Sequence, residues 1–138
     1  MKFINLTFKS NDSLLEMVTK LVTDNGRYQI SFIDKNYSYK GGFRPYYVTV
    51  EKTNEGYILD GIMEYQQDSK ESKLKLSNIF NFITNTHSFE FVGDVDIESV
   101  GAEELYEVYK LFSSNIVKYH SLGAYTVEVG RLSPRPIL

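Results

Sequence analysis

The clearest hydrophobic pattern in the chain lies near the C-terminus, in residues 99–123. Apolar side chains recur there at the three- and four-residue spacings of one helix face: Leu105, Val108, Tyr109, Phe112, Ile116 and Tyr119. Charged and polar residues fall mostly on the other side: Glu103, Glu104, Glu107, Lys110, Ser114 and Lys118. The acids come first, as the helix dipole favours, and Gly123 is positioned to end the helix. The pattern predicts an amphipathic helix that lies across a sheet with its charged side in water.

Period-two alternation of apolar and polar residues predicts the strands. It occurs in residues 2–9, 27–34, 46–52, 57–66 and 125–129. Shorter apolar runs at 88–91 and 95–97 predict one extended strand or two. The sequence TNEG at 53–56 is typical of a hairpin turn, so we expect the strands on either side of it to pair as antiparallel neighbours.

Two shorter helices are predicted before the long one. Ser13 and Glu16 match a capping box, and the apolar residues that follow form a helical stripe ending near Gly26. The helical spacing of Leu76, Ile79, Phe80 and Ile83 also predicts a second helix over residues 76–83, with Asn85 or Thr86 near its end.

These segments give the order β-α-β-β-β-α-β-α-β. The chain shows no internal repeat and no break in composition, so residues 1–130 are expected to form a single α+β domain. We expect three helices packed on a mostly antiparallel sheet of about five to six strands. Residues 131–138 form a tail, which Pro134 and Pro136 keep out of a sheet interior. Such a terminus is expected to fray, with a docking peptide as the alternative.

Composition limits the classes of function. The chain has 138 residues, 42% of them hydrophobic, with a formal net charge of -3 and no cysteine. The acidic balance argues against binding to duplex DNA, and the absence of cysteine excludes disulfides and thiolate chemistry. There is no apolar run of membrane-spanning length and no signal-peptide pattern, so we predict a cytoplasmic protein without a membrane partner. No motif implies a cofactor.

The loop 36–47 is the first candidate binding site. It brings aromatic rings beside cations, and the candidate residues are Tyr37, Tyr39, Lys40, Phe43, Arg44 and Tyr47. Tyrosine and arginine dominate protein-binding hot spots, and rings beside cations also suit single-stranded nucleic acid. The structural alternative is that the rings close the edge of the core while Gly41 and Gly42 form a turn. The two glycines lack the spacing and the following helix of a phosphate-binding loop.

The second candidate is an acidic surface, defined by Asp94, Asp96, Glu98, Glu103, Glu104 and Glu107. No lysine or arginine occurs between Ser88 and Tyr109. An extended backbone puts the first three acids on one side, and such a surface attracts a basic partner, for example a nucleic-acid-binding protein. The alternative is a solvated strand edge followed by acids that complement a helix N-terminus.

The two histidines, His87 and His120, are the remaining candidates for chemistry. Beside a carboxylate, either one would supply an acid–base pair or part of a metal site. Neither lies in a metal-binding spacing such as His-x-x-x-His, and no serine lies in a nucleophile-elbow motif. We therefore assign no catalytic and no metal-ligating residue from the sequence.

From these patterns we infer a small binding protein without catalytic activity that occludes the surface of a protein partner. Immunity proteins, phage-encoded inhibitors and adaptor domains share this profile of an acidic, cysteine-free domain. One alternative is a small enzyme that uses a histidine and a carboxylate in a cleft between sheet and helix. Another is a protein that binds single-stranded nucleic acid through the tyrosine-rich loop. The sequence leaves the oligomeric state open.

Overall fold

The computed structural model describes residues 2–6, 13–67, 73–90, 93–96 and 101–135. Within these ranges the chain forms two helices and seven strands, in the order α-β-β-β-β-β-β-α-β. The helices are α1 (Ser13–Leu21) and α2 (Ala102–Ser121). The strands are β1 (Gly26–Ile33), β2 (Tyr46–Lys52), β3 (Tyr57–Gln67), β4 (Leu74–Asn81), β5 (Thr86–Phe89), β6 (Gly93–Asp96) and β7 (Thr126–Leu132).

The seven strands form one sheet in the order β6-β5-β4-β3-β2-β1-β7, and every neighbouring pair is antiparallel. Strands β1 to β6 follow one another across the sheet in chain order, and α2 then returns the chain to β1, beside which β7 forms the opposite edge. The prediction of a single α+β domain with an antiparallel sheet is confirmed. The sheet is larger than predicted, partly because the two short apolar runs before α2 form separate strands.

The core lies between the two helices and one face of the sheet. The helices contact each other, and each buries an apolar stripe, which in α1 includes Leu14 and Val18. The strands alternate so that every second side chain points toward the helices; Phe32, Tyr46 and Phe80 are examples. The prediction of an amphipathic helix is therefore confirmed for α2, whose buried residues are Leu105, Tyr109, Phe112 and Ile116.

Gly123 ends α2, as the sequence predicts. Its φ of 77° lies in the left-handed region that glycine tolerates best. The N–H of Gly123 donates to the carbonyl of His120 at 3.0 Å, and the N–H of Ala124 donates to that of Tyr119 at 3.1 Å.

In the described part of the chain, neither helix is both long and apolar enough to span a membrane.

The predicted second helix, residues 76–83, is wrong, since most of this segment belongs to strand β4. The register between β3 and β4 shifts so that Ser77 has no partner, and this bulge breaks the period-two pattern. The inward position after the bulge is taken by Asn78, a buried polar residue. Asn78 donates to Glu64 of β3 and accepts the N–H of Glu90, so its partners are distant along the chain. The local apolar spacing contains no trace of these partners and therefore resembles that of a helix.

The predicted strand over residues 2–9 is also wrong in its described part, residues 2–6. Phe3 forms an isolated parallel bridge with Tyr57, and no longer ladder follows within that range. The side chain of Asn5 replaces a backbone ladder: its amide donates to the Leu59 carbonyl at 2.8 Å and its oxygen accepts from the Leu59 N–H at 2.9 Å. Residues 7–9 lie outside the described residues.

The face of the sheet opposite the helices is called here the open face. Among the described residues no helix covers it, and side chains such as Arg27, Met63 and Ile79 are half-buried on it. Strand β7 extends to Leu132, and the chain then crosses this face, where the side chain of Arg135 bonds to that of Asp60.

Gly61 lies in β3 where the neighbouring strand leaves no room for a side chain. A Cβ there would lie 2.4 Å from the carbonyl oxygen of Phe80, whose residue pairs with β3. We expect Gly61→Ala to lower the free energy of unfolding by about 1–3 kcal/mol, the cost typical of overpacking. Urea denaturation followed by circular dichroism measures the change.

Gly130→Ala is the matched control, because Gly130 also lies in a strand. Its added Cβ would meet the carbonyl oxygen of Gln29 at 3.9 Å, which is an ordinary contact. The control should change the free energy of unfolding by less than about 0.5 kcal/mol. Equal losses in the two variants would contradict the steric explanation.

Candidate functional site

The loop between β1 and β2 is held in one conformation by Asp34. One carboxylate oxygen of Asp34 accepts the N–H of Asn36 at 2.9 Å, and the other accepts that of Phe43 at the same distance. Gly42 lies against this anchor with a φ of 91°, and a Cβ there would lie 2.8 Å from the Cα of Tyr37. The loop therefore requires glycine at this point and has a defined shape.

The hairpin tip, defined as residues 38–41, projects from this loop. Ser38 and Gly41 exchange two backbone hydrogen bonds, at 2.9 and 3.1 Å, with Tyr39 and Lys40 between them. The side-chain oxygen of Gln67 accepts the N–H of Tyr39 at 3.1 Å, so the tip is tied to the end of β3. Tyr39 is 51% exposed, and the Nζ of Lys40 lies 5.8 Å from the centre of its ring. An aromatic ring and a cation are thus displayed together.

A groove of about 460 Å³ lies beside the hairpin tip. Arg44 lines it, and the Tyr37 hydroxyl, which accepts the backbone N–H of Gln67 at 2.8 Å, helps to fix its shape. The lining is mostly polar and consists of Tyr37, Ser38, Tyr39, Gly41, Gly42, Arg44, Gln66 and Gln67. Four of the six loop residues predicted from the sequence therefore lie at the groove or the tip: Tyr37, Tyr39, Lys40 and Arg44.

The other two predicted loop residues lie elsewhere. Phe43 packs into the core, with its ring centre 4.2 Å from that of Tyr119. Tyr47 points to the open face, where its ring meets that of Tyr65 at 5.3 Å. Alternation along β2 explains the position of Tyr47. Tyr46 points inward, so the next side chain along the strand points outward.

A buried carboxylate holds the wall of the groove in place. Glu64 accepts hydrogen bonds from Asn78 at 2.6 Å, from Arg44 at 3.3 Å and from the Tyr46 hydroxyl. Arg44 also bonds to Glu90 at 2.9 Å, so its charge is already neutralised by two acids.

The sequence analysis missed Glu64. Regular alternation gives no signal for Glu64, because it places this residue on the face opposite Tyr57 and Leu59. The bulge at Asp60 shifts the alternation by one residue and turns Glu64 toward the helices.

Two tyrosines complete this cluster as neutral hydrogen-bond donors. Burial, with the hydrogen bond to Glu64, raises the pKa of Tyr46 far above its ordinary value. Burial also raises the pKa of Tyr125, whose hydroxyl donates to the backbone carbonyl of Arg44 at 3.2 Å. Both hydroxyls stay protonated at neutral pH and act as donors, one to Glu64 and the other to the backbone of Arg44.

The acidic surface is described in part. Asp94 and Asp96 belong to β6, an edge strand, so the predicted extended backbone is present, while Glu98 lies outside the described residues. Glu103, Glu104 and Glu107 are exposed in the first turns of α2, and Glu107 pairs with Lys110 at 3.2 Å.

The histidines lie apart from the groove. His87 is buried among aromatic rings, with its Nδ1 accepting the N–H of Asn81 at 3.2 Å and its ring 5.2 Å from that of Phe82. His120 lies at the end of α2, 6.2 Å from the ring of Phe32. In the described ranges neither histidine pairs with a carboxylate, and no three histidine or acidic residues are arranged to hold a metal ion.

Comparisons with known proteins bear on the fold. No protein-family model and no curated protein matches the chain. One similar solved structure is the hypothetical protein VC0508 from the VSP-II pathogenicity island of Vibrio cholerae, with a TM-score of 0.72 and 21% identity over 92% of this chain and 99% of that chain. Another is the conserved hypothetical protein VC1805 from pathogenicity island VPI-2 of the same species, described as sharing structural homology with the human P32 protein. Its TM-score is 0.64, with 23% identity over 75% of this chain and 79% of that chain. Identities this low establish a shared fold and nothing about activity.

Glu64→Gln tests the buried cluster. The variant keeps the side-chain shape but removes the charge opposite Arg44, and we expect the free energy of unfolding to fall by about 2–3 kcal/mol. Glu107→Gln is the control, since it removes a charge from an exposed pair and should cost less than about 0.5 kcal/mol. Urea titration measures both, and an unchanged midpoint for Glu64→Gln would show that the cluster does not support the fold.

The burial of His87 predicts a dependence of stability on pH. Burial among rings lowers the pKa of His87, so the unfolded chain binds the proton more readily than the folded chain. Stability should therefore fall as the pH drops below about 6.5, the ordinary histidine value. His87→Phe removes this titration and should flatten the slope of unfolding free energy between about pH 7.5 and pH 5. Identical slopes in the two proteins, measured by urea denaturation, would refute the assignment.

Proposed function

We propose that this chain is a binding protein without catalytic activity, and that it occludes part of a protein partner's surface with the hairpin tip. The observation that carries the proposal is the display of Tyr39, which is 51% exposed, beside Lys40 at the edge of a polar groove. Aromatic and cationic residues of this kind are enriched at the centres of protein interfaces.

The loop has a fixed conformation in the free protein, which supports this proposal. Immobilising a flexible loop on binding costs free energy, and a loop already fixed in the free protein avoids that cost. Asp34 holds the base of the loop, and Gln67 holds the tip by way of Tyr39. The hairpin tip can therefore enter a partner with little reorganisation.

The chemistry of the hairpin tip indicates what a partner presents. The ring of Tyr39 fits a shallow apolar pocket with a polar rim, since the hydroxyl needs a hydrogen-bond partner when it is buried. Among the described residues Lys40 forms no ion pair, so it is available for an acidic side chain of the partner. Arg44 is engaged by Glu64 and Glu90 and shapes the groove.

A second contact surface is proposed at the acidic surface. The exposed Glu103 and Glu104 at the start of α2 give it a negative charge suited to a basic partner, such as a nucleic-acid-binding protein. Its test is charge reversal of these two residues in the binding assay described next.

Photo-crosslinking tests the hairpin tip. A benzophenone side chain at position 39 should crosslink a protein from a native lysate, whereas the same group at Leu122, which is 67% exposed at the end of α2, should not. The crosslinked protein is then purified for titration. We expect Tyr39→Ala/Lys40→Ala to weaken its binding by about thirtyfold, or about 2 kcal/mol, as a hot-spot loss does.

Lys118→Ala/Leu122→Ala is the matched control, because it removes a cation and an apolar side chain from another exposed site. It should bind as the wild type does. If the two double variants bind equally well, the hairpin tip is not the interface. If a labelled single-stranded oligonucleotide competes with the partner in low salt, the nucleic-acid alternative replaces this proposal.

A further inference from the structure

A second candidate site lies on the open face and contains two acidic and two arginine side chains. One guanidinium nitrogen of Arg135 bonds to Asp60 at 2.6 Å and to Glu51 at 2.8 Å. The other carboxylate oxygen of Asp60 accepts the Nε of Arg27 at 3.0 Å. Arg135 thus ties the C-terminal tail directly to β2 and β3, and Asp60 links this pair to Arg27 of β1.

The position of Asp60 explains why a cation is needed there. The register between β2 and β3 shifts at Asp60, which has no partner in the ladder, and its side chain is only 8% exposed. Two carboxylates and two arginines balance in charge. Without Arg135 the site would carry one excess negative charge on partly desolvated oxygens, and a second cation would be strongly favoured.

An apolar groove continues from this charged site. It has a volume of about 310 Å³, and Asp60 and Arg135 form part of its wall. Met63, Ile79 and Ile83 also line it, and Ile83 is 48% exposed. A ligand with a guanidinium group next to an apolar side chain would match both halves of this surface.

The tail itself shows the form of such a ligand. Pro134 fixes its own φ and favours an extended Ser133, and Arg135, which also precedes a proline in the sequence, is restricted toward an extended backbone in the same way. Extended proline-rich segments lose little conformational entropy when they bind. The tail therefore presents Arg135 as a tethered ligand.

We propose that Glu51, Asp60 and the adjoining groove form a binding site for an extended, proline-flanked arginine segment of a partner protein, and that Arg135 occupies this site until such a segment displaces it. Tethering gives Arg135 an effective concentration on the order of millimolar. A partner segment must displace Arg135 in order to bind, so the tail lowers the apparent affinity of the site for the partner. The site is independent of the hairpin tip, and either proposal can fail alone.

Fluorescence anisotropy with the labelled hexapeptide SPRPIL, the last six residues of the chain, tests the site. Full-length Arg135→Ala should bind the peptide about tenfold or more tightly than the wild type, because its own competitor is gone. Arg131→Ala is the matched control; Arg131 stacks on Tyr28 and bonds to Asn25, outside the site, so this variant should bind as the wild type does.

The charge of the site is tested in the same titration. Adding Glu51→Gln to Arg135→Ala should weaken binding about fivefold, and the peptide SPAPIL should bind at least about tenfold more weakly than SPRPIL. If folded Arg135→Ala binds SPRPIL no better than the wild type does, the proposal is overturned.

A second measurement does not depend on the stability of Arg135→Ala. The chain has no cysteine, so Ser133→Cys accepts a single nitroxide label at an exposed position of the tail. Millimolar SPRPIL should increase the mobile component of the electron paramagnetic resonance spectrum, whereas SPAPIL should not. An unchanged spectrum with both peptides would show that Arg135 is a permanent structural clamp and would also overturn the proposal.

Discussion

The packing of both helices on one face of a single sheet is the constraint on which the rest of the molecule depends. Aromatic rings fill the space between them; those of Phe80 and Phe112, for example, meet edge to face at 5.3 Å. Such rings bury large apolar areas, so this layer supplies most of the driving force for folding. Because the helices close one face in this way, the candidate surfaces lie outside this layer, at the β1–β2 loop, on the open face and at the start of α2.

Strand β3 contributes a second organising feature, a buried carboxylate toward each side of the sheet. Glu64 lies toward the helices and engages Arg44 of the β1–β2 loop, and Asp60 lies toward the open face and engages Arg135 of the tail. A buried carboxylate without a partner is costly, so each of these acids holds a segment that would otherwise be loosely attached. The pair of Glu64 and Arg44 holds the wall of the groove beside the hairpin tip, and the pair of Asp60 and Arg135 holds the tail on the open face.

The candidate surfaces lie outside the aromatic layer that defines the fold. Tyr39 and Lys40 belong to a loop, and Ile83 follows the end of β4, so none of them is required for the helices to pack on the sheet. A protein with the same sheet and different residues at these positions would keep the architecture and lose the surfaces. Similarity of fold therefore carries little information about binding in this chain.

The sequence by itself determined the elements whose pattern is local. The stripe from Leu105 to Ile116 predicts α2, the turn at 53–56 predicts the β2–β3 hairpin, and the residues from Tyr37 to Arg44 mark the loop. Tertiary structure alone decided that residues 76–83 mostly form a strand, that Phe43 turns inward, and that Arg135 is held rather than frayed. In each of these cases the deciding partner, Glu64, Tyr119 or Asp60, is distant along the chain. Local periodicity contains no information about such partners, because a buried hydrogen bond or ion pair forms only after the sheet has brought both residues together.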